Sequence, residues 1–117
     1  MRQVSLLFIA ALLLAGCSSM GLVEPQSFDE RLAYAYATNT AIREASTSAL
    51  NAHTITSDDM IYVMGVNNQL RLALDAAKDA ASGGDVQTAE GRLLMVTKAL
   101  TALQTYMRSK GVDVKGR

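Results

Sequence analysis

Side chains able to do chemistry are few and scattered. Arg71, Asp75 and Asp79 recur every four residues, with Lys78 beside them. Two carboxylates on one face can divide the acid and base roles, as they do in glycosidases. The same spacing also makes i,i+4 ion pairs, and the strip lies opposite the apolar positions of its segment. A solvated ladder is therefore the expectation. His53 is the only histidine. A metal ion needs several converging ligands. The nearby Asp58 and Asp59 sit where a helix N-terminus favours negative charge, which explains them without a metal. Ser46-Thr47-Ser48 offers hydroxyls with no paired base. These patterns predict no catalytic set, no metal site and no cofactor, hence a protein that is not an enzyme.

Composition narrows the partners. Lysine and arginine number 11, as do aspartate and glutamate. A balanced chain lacks the clustered positive charge that phosphate binding needs, so nucleic acid is not an expected partner. Beyond residue 16 the aromatic residues are Phe28, Tyr34, Tyr36, Tyr62 and Tyr106, too dispersed for a base-stacking platform. One cysteine, Cys17, rules out an internal disulfide, so the core alone must hold the fold.

The surroundings of Cys17 are specific. Met1-Arg2-Gln3 carries one positive charge, and Val4 to Ala15 is an apolar run of twelve residues broken only by Ser5. That is short of the ~20 residues a spanning helix needs, and it fits the apolar region of a secretory signal. The run ends in Leu14-Ala15-Gly16-Cys17, which resembles the lipobox of bacterial lipoprotein precursors. The resemblance implies that the Cys17 thiol receives diacylglycerol and that the leader, residues 1–16, is cut between Gly16 and Cys17. It also implies that the new amino group is acylated. Ser18 stands where an aspartate resembles an inner-membrane retention signal in enteric-type bacteria. The resemblance thus implies the outer membrane, on its periplasmic face. Two or three acyl chains at ~0.8 kcal/mol per buried methylene hardly dissociate from a bilayer.

Residues 17–26 are then a lipidated N-terminus and tether. Its nine residues after Cys17 span at most ~30 Å. Pro25, the only proline, stops helix from spreading back toward the anchor. Residues 27–110 predict an all-α, up-down-up antiparallel three-helix bundle, with helices over about 27–51, 57–82 and 85–109. Ser27-Phe28-Asp29-Glu30 is a capping-box pattern. Thr56 precedes two carboxylates, Gly83-Gly84 ends the second helix, and Asp85 caps the third. Gly83-Gly84-Asp85 is similar to a tetratricopeptide turn, but one loose unit makes no array.

The apolar seams step by three and four. Val86, Ala89, Leu93, Val96, Leu100, Leu103 and Met107 form the third. Met60, Val63, Asn67, Leu70, Leu74, Ala77 and Ala81 form the second. Phe28, Leu32, Ala35, Asn39, Ile42, Ser46 and Ala49 form the first. Asn39 and Asn67 fall near mid-helix, with Thr97 at similar height. Facing the core they would be a polar layer that sets register or recognises a ligand. Rotation of the seam would instead turn them to water, and exposure is the expectation. Residues 111–117 are expected to be a flexible tail, basic at Lys115 and Arg117 and continuing from Arg108 and Lys110.

The expected function is non-enzymatic: a small helical module held at the cell envelope by its lipid, structural or protein-binding. Its partners would be the membrane, through Cys17, and another envelope protein or a second copy of itself. Alternatives are a prophage-type lipoprotein that alters phage adsorption or lysis, or a carrier of a small apolar ligand inside the alanine-rich core.

Overall fold

Each helix begins at a side-chain cap that satisfies backbone amides left open in the first turn. In the computed structural model, which describes residues 27–114, the helices are α1 (Phe28–Asn51), α2 (Ser57–Ser82) and α3 (Val86–Ser109). Ser27 Oγ accepts from the Glu30 amide at 3.1 Å. Thr56 and Asp59 form a full reciprocal box, with bonds of 3.0 and 3.1 Å. Asp85 accepts from the Thr88 amide at 3.2 Å.

The three ends share one device. After α1 the His53 amide bonds the Leu50 carbonyl and the Thr54 amide bonds Ala49. After α2, Gly84 and Asp85 repeat this onto Ala81 and Ala80. After α3, Gly111 and Val112 repeat it onto Arg108 and Met107. This double bond pattern requires a left-handed residue at its centre. Gly84 (φ 81°) and Gly111 (φ 83°) supply it freely, whereas α1 uses His53 at φ 59°. A β-carbon there meets the following carbonyl, so the α1–α2 turn carries strain that the other two do not.

Contacts between helices give the topology. Tyr36 meets Asp75 and Arg43 meets Asn68, so α1 and α2 are antiparallel. Arg92 meets Ala76 and Tyr106 meets Asp59, so α2 and α3 are antiparallel. Arg31 meets Glu90 and Ser46 meets Met107, so α1 and α3 run parallel. The all-α, up-down-up bundle is thus present, with helix ends within a residue of expectation.

The seams face inward. Ile42, Val63, Leu74, Leu93, Val96 and Met107 are the largest fully buried apolar side chains. Ala35, Ala49, Ala77 and Ala89 join them and let the helices approach closely. Four predicted seam ends differ: Val86 is exposed, and Phe28, Met60 and Ala81 are only half-buried. All four lie in the first or last turn of their helices.

The expected flexible tail is corrected over its described part. Val112 and Val114 are buried in the same apolar cluster as Ile55. A β-carbon on Gly111 would lie 3.8 Å from Thr54 Cγ2, so the chain after α3 folds against the α1–α2 turn. The left-handed Gly111 aims Val112 back at the helix end, as this terminating motif does when its following residue is apolar. Lys115 and Arg117 lie outside the described residues.

Replacing His53 by glycine removes the β-carbon conflict but frees the unfolded chain. The net gain is about 0.5–1 kcal/mol, a rise of a few degrees in Tm. Thermal unfolding of His53→Gly beside the parent reads this directly; an unchanged or lower Tm contradicts the strain assigned to the turn.

Candidate functional site

The expectation that Asn39 and Asn67 reach water is overturned. Both are completely buried, because the seams on which they fall do not rotate. Asn39 Nδ2 donates to the Asn67 backbone carbonyl at 3.0 Å, and Asn67 Nδ2 donates to the Asn39 carbonyl at 3.0 Å. A helical carbonyl has a second lone pair, so it accepts a side-chain donor beside its own helical amide. Both acceptors are carbonyls, which forces each amide nitrogen to face them and each Oδ1 to face away. Neither Oδ1 has a partner. Thr97 does not join the layer: it is exposed, and its hydroxyl donates to Leu93 in its own helix.

Polar groups accumulate on the buried face of α1. Thr38 and Ser46 are buried and donate to the carbonyls four residues back, Tyr34 and Ile42. Leu32 and Ile42 are the only large apolar side chains that α1 buries fully. The third unpartnered buried atom among the described residues is Arg31 Nε. Its guanidinium otherwise grips Glu90 on α3, with Nη1 at 2.6 Å from one carboxylate oxygen. That bond holds the Glu90 carboxyl below its ordinary range. Thus each such atom belongs to a residue that bonds α1 to another helix.

Asp59 ties the opposite end. Its carboxylate completes the α2 cap, accepts from Tyr106 Oη at 2.9 Å and lies 3.4 Å from Lys110 Nζ. Tyr106 packs on Tyr62 with ring centres 4.8 Å apart. The bond from the Thr56 amide, then that from Tyr106, hold the Asp59 carboxyl down to about 2. The Tyr106 hydroxyl is pushed up, first by its bond to Asp59. Neither group exchanges a proton near neutrality, so this cluster is a brace and not an acid–base pair. The predicted basic run is thereby split: Lys110 is engaged with Asp59 and lies over the Tyr106 ring.

The remaining candidates stay apart. Arg71 and Asp75 form an exposed pair at 3.9 Å, one rung of the expected ladder. The strip is not purely outward, since Tyr36 of α1 donates to Asp75 and lies under the Arg71 guanidinium. Burial, then the bond to Asp75, pushes the Tyr36 hydroxyl up to about 12. His53 serves as the helix stop. No cluster of three or more metal-ligating side chains occurs among the described residues. Ser48 is exposed, and Thr47 bonds its own helix at Arg43. Gly16 and Cys17 lie outside the described residues.

Two surface features went unread in the sequence. A shallow groove of about 90 Å³ runs between α1 and α3, lined by Tyr34, Thr38, Thr97, Leu100, Thr101 and Gln104. The Thr38, Thr97 and Thr101 hydroxyls all bond their own helices, so the groove presents few free donors. The outer side of α2 and α3 exposes Ile61, Leu72 and Met95, each about 70% accessible (71%, 69% and 72%). From Met60 to Leu70 the chain has no charged residue. The signal was present as that uncharged run, but apolar residues off the seam are common and single ones mean little.

Comparison with protein-family models, with curated proteins and with solved structures finds no match to this chain.

Two outcomes follow from these geometries. Asn39→Asp puts a carboxylate against the Asn67 carbonyl and removes the donor. It costs about 3–5 kcal/mol at pH 7, the penalty of an uncompensated buried charge. Protonation restores an O–H donor, so denaturant unfolding should show recovery as the pH is lowered; equal loss at all pH values contradicts the assigned contact. Asp59 is lowered on folding, so its stabilisation is whole above the unfolded value near 3.8 and is lost as pH falls toward about 2. Asp59→Asn should flatten the acid limb between those values in a pH-dependent melting series, and an unaltered limb contradicts the brace.

Proposed function

We propose that this chain is a lipid-anchored, non-enzymatic interaction module of the bacterial cell envelope. The observation that carries the reading is Leu14-Ala15-Gly16-Cys17 directly after a twelve-residue apolar run. Lipid on Cys17 anchors the mature chain, and the short link to Ser27 keeps the bundle beside the bilayer. The same reading places it on the periplasmic face of the outer membrane, because Ser18 follows the cysteine.

The bundle's chemistry supports a binding role over a catalytic one. Its shifted carboxyl and hydroxyl groups brace helices, and none is tuned toward neutral pH. No described helix is long and apolar enough to cross a membrane, which leaves the lipid as the proposed means of attachment. Ile61, Leu72 and Met95, exposed on α2 and α3, suit contact with another envelope protein.

Cys17→Ala should give a chain that keeps its leader, takes up no radiolabelled fatty acid and still melts as the parent bundle does. Processing and labelling equal to the parent would overturn the anchor. Cross-linking in intact cells tests the partner. Ile61→Asp with Met95→Asp should lose the parent's cross-linked envelope protein while the circular dichroism stays helical. A cross-linking pattern identical to the parent's would move the contact off this surface.

A further inference from the structure

We propose that this chain forms a domain-swapped dimer, in which α1 of one copy leaves its own α2–α3 hairpin and docks on that of a second copy. The inference goes beyond the anchoring reading and does not rest on it.

The hinge is the first observation. Of the three helix stops, only the one joining α1 to α2 places a residue with a β-carbon, His53, in the left-handed region. Opening that turn relieves the conflict, and a strained short hinge favours exchange of the element it joins. The α2–α3 turn has Gly84 and gains nothing by opening.

The seal of α1 is the second. Of the three unpartnered buried atoms among the described residues, Arg31 Nε and Asn39 Oδ1 belong to α1, and Asn67 Oδ1 belongs to the residue that Asn39 bonds across the contact. Ser46 and Thr38 occupy core positions on the same face. A helix sealed this way separates at lower cost than α2 or α3 would, since its large buried apolar side chains are Leu32 and Ile42 alone, whereas α2 buries Val63, Leu70 and Leu74 and α3 buries Leu93, Val96, Leu100, Leu103 and Met107.

The identity of the acceptor is the third. Release of α1 uncovers a groove with fixed polar receptors: the Asn67 carboxamide and carbonyl for Asn39, Glu90 for Arg31, and Asp75 for Tyr36. A helix that answers all three at the right spacing is α1 itself, so the fitting partner is a second copy of this chain. Ile55, Val112 and Val114 oppose opening by closing over the turn, which keeps the monomer populated.

The test uses the Arg31–Glu90 pair, which is partly exposed and so leaves single variants able to fold. Arg31→Glu sets two carboxylates face to face within one chain. Glu90→Arg sets two guanidinium groups face to face. In a swapped heterodimer of the two variants both contacts regain opposite charge. The chains are purified separately, mixed, warmed to the edge of unfolding and cooled. The expected product is a heterodimer by light scattering and native mass spectrometry, melting above either variant alone. Adding His53→Gly to both chains should weaken that dimer about five- to thirtyfold, since two hinges lose their strain. A mixture that remains two monomers overturns the proposal. Dimers that form equally well from each variant alone also overturn it, because a surface contact between intact bundles needs no charge exchange.

Discussion

The alignment of α1 depends on the reciprocal bonds between Asn39 and Asn67. Each amide nitrogen reaches the other residue's backbone carbonyl at 3.0 Å, so the contact has one register only. A slip of one residue would move both carbonyls by about 1.5 Å and turn them by about 100°. Alanine-rich faces pack tolerably in several alignments, and α1 buries few large side chains to choose among them. The asparagines make the choice. Their unpartnered Oδ1 atoms lower stability, and the uniqueness of the alignment is what that loss secures. With the middle set, Arg31 meets Glu90 at one end and Ser46 meets Met107 toward the other.

Around that contact the molecule is asymmetric. The α2–α3 hairpin is joined by a relaxed glycine turn and brings larger apolar side chains to the core, among them Leu74, Leu93, Val96 and Leu100. The helix α1 is joined through His53 and held by amides, hydroxyls and one guanidinium grip. Its N-terminus is also where the proposed tether arrives. The least firmly seated helix is therefore the one that the proposed anchor would hold. The opposite end is closed by Asp59, Tyr106 and Lys110, with Val112 and Val114 folded over the turn.

Much of this was legible in the residues. The caps Ser27, Thr56 and Asp85 and the stops at Gly84 and Gly111 mark the helix ends because cap chemistry is local. The seams predicted the buried face nearly residue for residue, since the helical period needs no knowledge of the neighbours. The burial of Asn39 and Asn67 was implied by those seams and was still misjudged. Hydropathy assigns asparagine to water, and only the facing carbonyl, 28 positions away, makes burial tolerable. His53 was legible as a loop residue, but not as a left-handed stop, because its shape does not announce that conformation as glycine does. Val112 and Val114 were missed because a short segment after a glycine carries no period. The tie of Asp59 to Tyr106 spans 47 positions and leaves no local mark.

The bundle and its braces are seen in the structure, while the proposed anchor rests on residues 14–17. Mass spectrometry of the N-terminal peptide from the mature chain, recovered from outer membranes, tests the central claim most directly. The account predicts a peptide that begins at Cys17, bears diacylglycerol on its sulfur and carries an acyl chain on its amino group. A peptide that begins at Met1, or one that begins at Cys17 with a free thiol, would contradict it.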